Sequence, residues 1–279
     1  MKFLIIDGHN LLFQMFFGMP SRIIGKDGRA IHATLGFVGA LIKMIRWVEP
    51  THIVALFDGE HDKARTEISA EYKANRTGYA DVPEEDNPFA QLADIYAALD
   101  HMGICHAETA DCEADDAIAA YAFAYSGETP IVIASLDSDF FQLIGANVNV
   151  LRYRGDKTTL CDEAFIRDKF GISPMQYADF KALTGDACDN IRGAEKIGPK
   201  TAAALLRQFG GLEGILENAH SIGKPSIRES VKQNAKRLRM NYRLIKLDDK
   251  APIPFSPNKL RYEYGGIAAN EVLKEIGIR

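Results

Sequence analysis

No stretch of this 279-residue chain holds the ~20 consecutive apolar residues that a helix needs to cross a bilayer, which excludes an integral membrane protein. The apolar opening Met1-Lys2-Phe3-Leu4-Ile5-Ile6 is interrupted by Asp7 and His9, and no small-residue cleavage site follows. It is therefore read as part of the fold rather than as a signal peptide, and a cytoplasmic protein is expected. Cysteine is scarce. Cys105, Cys112, Cys161 and Cys188 stand at no metal-ligand spacing and form no CxxC pair, which excludes a disulfide scaffold and leaves them as small buried hydrophobes. Internal repeats and low-complexity tracts are missing too, while 47% hydrophobic and 25% charged residues exclude a disordered chain. The length suits one large domain or two.

Positive charge is absent over one long segment: Thr77 to Thr129 contains 12 acidic residues and no Lys or Arg. From Arg192 to Arg261, by contrast, 15 Lys and Arg face 6 acids, although the whole chain carries −5. Such asymmetry suggests an acidic site in one part and a polyanion-binding surface in another.

The first half alternates apolar strands with helical patterns. Phe3 to Ile6, His52 to Phe57, Ile104 to Ala107, Pro130 to Ala134 and Val148 to Tyr153 are predicted strands. Helical spacing is predicted over 32–48, from Phe89 to Leu99 and from Ala114 to Tyr125. That order predicts a parallel α/β sheet. Between Gly59 and Asn87 the pattern lapses into a polar excursion with some helix in it, longer than an ordinary connection. After about Ser173 the strands stop; Pro174 to Leu183, Gly198 to Phe209 and the basic run from Ser226 to Leu247 are predicted helices, and the proline-bearing tail is expected to be extended and to wrap back or fray. The expected division is an α/β domain, 1–172, carrying the excursion at about 59–87, and a helical domain, 173–279.

Three predicted strands end in an acid: Asp7, Asp58, and the pair Asp137 and Asp139. In an open parallel sheet, ligands bind beyond the carboxyl ends of the strands. Glu113, Asp115 and Asp116 open a helix, more acids than dipole compensation needs, and Asp186 and Asp189 repeat the i, i+3 spacing at a helix end. Like charges ~4 Å apart repel by ~4 kcal/mol at an effective dielectric of 20, so nine converging carboxylates require raised pKa values or cations. Oxygen ligands without His or Cys favour Mg²⁺ or Mn²⁺, and two such ions in one site suit phosphodiester hydrolysis. With the nine acids set aside, the balance of the chain becomes +4, hospitable to DNA.

Ile6-Asp7-Gly8-His9-Asn10, Phe57-Asp58-Gly59, Glu113-Ala114-Asp115-Asp116, Leu136-Asp137-Ser138-Asp139 and Gly185-Asp186-Ala187-Cys188-Asp189-Asn190-Ile191 follow one another in the order of the bacterial 5′→3′ exonuclease and flap endonuclease family. The chain resembles that family from residue 2 to roughly 260, as a stand-alone member with no polymerase following. The resemblance implies a PIN-like, mostly parallel sheet flanked by helices, followed by an all-α helix–hairpin–helix region. It implies a structure-selective, metal-dependent nuclease of replication and repair, cutting 5′ flaps, nicks or free 5′ ends of DNA as a monomer by a two-metal-ion mechanism. Asp7, Asp58, Glu113, Asp115, Asp116, Asp137, Asp139, Asp186 and Asp189 would hold two or more Mg²⁺ or Mn²⁺ ions directly or through water.

Tyr72-Lys73-Ala74-Asn75-Arg76 resembles the family's arch motif, which assigns Lys73 and Arg76 to charge stabilisation at the scissile phosphate. Arg65 would be a further phosphate contact, and Tyr72 could stack on a base. Residues 193–202 resemble the family's hairpin, with Lys196, Gly198, Lys200 and Thr201 facing DNA. That hairpin holds a potassium ion (K⁺) through backbone carbonyls in the family; here Arg192 and Lys196 stand where the family prefers proline and glycine. Lys224, Arg228, Lys232, Lys236, Arg237, Arg239 and Arg243 are expected along duplex backbone, giving structure preference without sequence preference. Two alternatives stay open, a PIN-type ribonuclease and a catalytically weak binder of DNA structures.

Overall fold

The computed structural model describes residues 1–59, 64–75, 78, 79 and 81–279. Its first half is a six-stranded sheet built from β1 (Phe3–Asp7), β2 (His52–Asp58), β3 (Cys105–Thr109), β4 (Ile131–Ala134), β5 (Val148–Arg152) and β6 (Thr159–Cys161) in the spatial order β3-β2-β1-β4-β5-β6. The first five pair in parallel and β6 is antiparallel to β5. Because β2 and β3 lie to one side of β1 and β4 and β5 to the other, the strand order reverses between β1 and β4. The crevice at such a reversal is where α/β sheets bind ligands.

The central strands are apolar throughout because both sheet faces are covered. Alternate residues divide between two cores: Phe3, Ile5, Val54 and Ile133 face one side, and Leu4, Ile6, Ile53 and Phe57 the other. Helix α5 (Ala114–Tyr125) covers the first face with Ala117, Ile118 and Tyr121, as its spacing predicts. Helices α1 (Gly8–Gly18), α2 (His32–Val48) and α4 (Leu92–His101) cover the second. No element is predicted over 8–18, yet α1 forms there because Asp7 caps it, accepting a hydrogen bond from the Asn10 N–H at 3.2 Å. Gly8 is required at that strand-to-helix turn, since a Cβ would lie 2.4 Å from the Phe57 ring.

Among its described residues the excursion contains a short helix, α3 (Ala64–Ile68), and a single turn of 3₁₀ helix, Glu84–Asp86; a second such turn, Pro88–Gln91, follows it. Beyond the sheet come α6 (Glu163–Phe170), α7 (Tyr177–Thr184), α8 (Pro199–Phe209), α9 (Leu212–Glu217) and the long α10 (Pro225–Ile245). Strands do not stop entirely after Ser173: β7 (Gly185–Asp186) and β8 (Ile191–Arg192) form a two-residue ribbon. It closes because Gly185 has φ +84° and no Cβ, which would otherwise meet the Gly193 nitrogen at 2.5 Å. One continuous apolar core runs from Phe3 and Ile133 through Phe141 and Leu183 to Leu206 and Leu238.

The tail wraps back, one of the two courses expected of it, and ends in a helix that was not expected. The Tyr262 N–H donates to the Thr51 carbonyl, and α11 (Ala269–Glu275) packs on α2 and α4, burying Val272 and Leu273. Prolines 252, 254 and 257 delay the helix but do not prevent an apolar pair beyond them from finding the sheet's helical layer. No helix among the described residues is long and apolar enough to cross a membrane.

Candidate metal centre and nucleic-acid interface

The register of the central strands assembles the first group of acids. Asp7 lies opposite Leu56 at the end of β1, Asp58 ends β2, and the loop after β4 carries Asp137 and Asp139. Asp58 Oδ1 accepts from the Ala114 N–H at 2.8 Å, so the end of β2 caps α5 and draws Asp115 to the same rim. The loop after β4 is held tightly. The Leu136 N–H donates to Asn10 Oδ1 at 2.9 Å, Arg152 donates to the Leu136 carbonyl at 2.8 Å, and the Asp139 N–H donates to Asp137 Oδ1 at 2.8 Å.

Crowding shows in the protonation energetics. Burial raises Asp7 to about 7, with Asp58 and Asp137 adding to the shift and Ser135 opposing it. Asp115 is pushed well above the ordinary carboxylate range, first by burial and then by the charges of Asp7, Asp137 and Asp58. Asp58 goes the other way: burial opposes its charge, but His9, the Ala114 N–H and Lys73 together hold it below its usual value. Carboxylates arranged so, all oxygen and partly protonated for want of positive charge, fit hard divalent cations.

A second group brings one oxygen each of Asp139, Asp186 and Asp189 within 4.8 Å of one another, and thus joins the loop after β4 to the helical half. Nothing in the sequence pattern singled out Lys181, yet its ammonium contacts both Asp139 and Asp186 while only 7% exposed. Burial opposes its charge, but the two carboxylates outweigh that and raise its pKa. Even beside it, burial leaves Asp139 at about 7. The available signal was a lone lysine among the apolar residues of α7, five positions before Asp186.

Glu113 and Asp116 face the excursion instead. Glu113 Oε2 accepts from Lys73 Nζ at 2.8 Å, pairs with Arg65 at 2.9 Å, and accepts from the Tyr72 hydroxyl at 3.3 Å. Asp116 takes both arms of the Arg65 guanidinium, at 2.7 and 2.9 Å, and its Oδ1 also accepts the Asp248 N–H. Arg65 Nε donates to the Leu244 carbonyl at 2.9 Å. Expected at the surface against phosphate and base, Arg65 and Tyr72 are instead buried: Glu113, Asp116 and the Leu244 carbonyl engage the Arg65 guanidinium, and Glu113 accepts from the Tyr72 hydroxyl. Lys73 stands at the edge of this group with φ +54°, its N–H donating to the Asp189 carbonyl. Arg76 lies outside the described residues.

At the hairpin, Gly198 caps α8 and Pro199 occupies its first turn, so N–H groups at the helix start face outward beside exposed Lys196 and Lys200, with Thr201 half-buried. Lys196 adopts the left-handed backbone, φ +66°, that a glycine would take more easily. The Gly193 carbonyl accepts from Arg237 at 2.9 Å and the Glu195 carbonyl from Ser230 at 2.5 Å. Along α10, Lys224, Lys232, Lys236 and Arg243 are exposed, whereas Arg237 and Arg239 pair with Glu195 and Glu213, and Arg228 leans on the His220 carbonyl.

Comparison with known proteins brings three kinds of likeness. Residues 2–171 match the model of the 5′-3′ exonuclease N-terminal resolvase-like domain, and 172–265 that of the 5′-3′ exonuclease C-terminal SAM fold. DNA polymerase I of Streptococcus pneumoniae is 34% identical over 267 residues, covering 94% of this chain and 30% of that protein. The thermostable DNA polymerase I of Thermus aquaticus is 33% identical over 253 residues, covering 90% of this chain and 29% of its own length. The chain thus spans about a third of the length of the curated relatives it matches. A bacteriophage T5 flap endonuclease, solved as a pseudo-enzyme–product complex with DNA and metal ions, superposes with a TM-score of 0.73 at 22% identity, over 99% of this chain and 98% of that one. At that identity the likeness is one of fold.

Proposed function

The chain belongs to the 5′-3′ exonuclease family, and from that premise we propose that it is a Mg²⁺- or Mn²⁺-dependent 5′ nuclease hydrolysing DNA phosphodiesters at 5′ flaps, nicks or free 5′ ends. The observation that carries this is the meeting of acids from both halves: Asp7, Asp58, Asp115 and Asp137 at the strand reversal, and Asp139 with Asp186 and Asp189 across the boundary. Residues 1–172 would form the nuclease unit and 173–279 the DNA-holding unit, with α11 returning to the first.

Asp7, Asp58, Asp115 and Asp137 would hold one divalent ion, and Asp139, Asp186 and Asp189 a second. Such ions would supply activation of the attacking water and charge neutralisation at the leaving oxygen. The protein's own part is orientation. The hydrogen bonds to Asn10, Ser135 and Ala114 fix how the Asp7 and Asp58 carboxylates are turned. Lys73, already at the rim of the site, would exchange its contact with Glu113 for a phosphate oxygen of the substrate, and Arg76 would act beside it. Arg65 and Tyr72 would hold Glu113 and Asp116 in place beneath them. Lys196, Lys200, Thr201 and the N–H groups around Gly198 would grip duplex phosphates, with the exposed lysines of α10 extending that track. Working as a monomer in the cytoplasm, such a protein would serve replication and repair.

The decisive assay is cleavage of an end-labelled 5′-flap oligonucleotide with Mg²⁺, with Mn²⁺ and with EDTA. Metal-dependent cutting near the branch is expected. Pure protein that cuts with neither ion would refute the proposal.

A further inference from the structure

Strands β1 and β4 run side by side in parallel with Ile6 opposite Ala134. The next residues, Asp7 at the end of β1 and Ser135 just past β4, therefore lie at the same level on either side of the strand reversal. Ser135 is 5% exposed, and its hydroxyl joins the Asp7 carboxylate to the main chain of Asp137, in a different segment. The Asp137 N–H donates to Ser135 Oγ at 2.9 Å, so the oxygen is an acceptor there. Its single proton then goes to Asp7 Oδ2, at 2.6 Å.

We propose that Ser135 is a positioning residue, which sets the separation and orientation of Asp7 and Asp137 so that one divalent cation is bound between them. A serine that merely shaped its own loop would need only the bond from Asp137, two residues on; the second bond crosses to another strand and to an acid. Hydrogen-bonded partners that orient ligating carboxylates are worth about 10–100-fold in metal affinity. Remove the hydroxyl, and the Asp7 carboxylate is no longer tied to the Asp137 main chain, so the spacing of these two mutually repelling acids is released, while the loop keeps the Leu136–Asn10 and Arg152 bonds that hold its backbone. The fold should thus survive a change that the metal affinity does not. This inference rests on the metal-dependent reading above.

The test is titration calorimetry of Mn²⁺ alone, without DNA, into the full chain and its Ser135→Ala and Ser135→Thr variants, with melting curves in EDTA alongside. Ser135→Ala should weaken Mn²⁺ binding by about 10-fold or more, and Ser135→Thr, which keeps the hydroxyl, should stay within about threefold of the parent chain. If Ser135→Ala binds Mn²⁺ within twofold of the parent, the proposal is overturned while the metal reading stands. A folded Ser135→Thr that binds as weakly as Ser135→Ala also overturns it, since the hydroxyl would then be irrelevant. A parent chain that binds no Mn²⁺ overturns both.

Discussion

Replacing Lys181 by methionine should make the stability of the protein depend on divalent ions. The ammonium is buried between Asp139 and Asp186, and methionine has nearly the same length without the charge. Removing one partner of a buried ion pair costs about 3–5 kcal/mol, because the remaining charge is left uncompensated. For a chain of this size that is a fall in Tm of roughly 10 °C. Protonation caps the loss. Asp139 sits at about 7 even beside Lys181, and without that cation it rises further, so near pH 6 it is neutral and needs no partner. At pH 8 the proton must be taken from solution against the pH, at about 1.4 kcal/mol per unit.

The variant should therefore lose more Tm at pH 8 than at pH 6 when melted in EDTA. It should recover most of the loss in Mn²⁺, which replaces the missing positive charge. Calorimetric or fluorescence melting at both pH values, with and without Mn²⁺, reads all four conditions. Equal losses at pH 6 and 8, or no recovery with Mn²⁺, would refute the view that this lysine stands in for positive charge that the three aspartates require.

Asp58→Asn should keep the fold, since an amide oxygen can still accept the Ala114 N–H, and should keep DNA binding while losing most cleavage; turnover within about threefold of the parent would contradict its place among the metal-holding acids. Lys73→Ala should lower kcat more than it weakens DNA binding, and a defect confined to affinity would reduce Lys73 to a simple phosphate clamp. Asp7 and Asp139 both sit at about 7 in the fold, above the ~3.9 of an unfolded aspartate. A group raised on folding contributes stability below its unfolded value and loses it as pH climbs through the folded one. The gain in Tm on adding Mn²⁺ should accordingly widen between about pH 5 and pH 8, and a gain that is flat across that window would mean these acids do not compete with protons for the ion.

Much of the sheet-bearing half could be read from residue order alone. Apolar runs such as Phe3 to Ile6 and Ile131 to Ala134 are strands because only a two-sided sheet buries every residue of such a run. Asp7 and Asp58 could be placed on one rim because parallel strands end on the same side. The acids of α5 were visible as a first-turn cluster, although not their division: Asp115 turns to Asp7 and Asp137, whereas Asp116 is consumed by Arg65. Local pattern also gave no sign that Arg65 and Tyr72 are buried, because Arg65 is held by the end of α10, about 180 residues away, and both side chains meet Glu113, about 40 to 50 residues on.

Local chemistry, then, was determined by the sequence itself: strand, helix and turn preferences act over a few residues, and an acid after a strand needs only its neighbours to be recognised. Tertiary structure alone decided which charges meet. Lys181 joins Asp139 across 42 residues, Ser135 joins Asp7 across 128, and the tail returns to cover α2. Electrostatic energy depends on distance and burial in space, and neither is written along the chain until the core has closed around it.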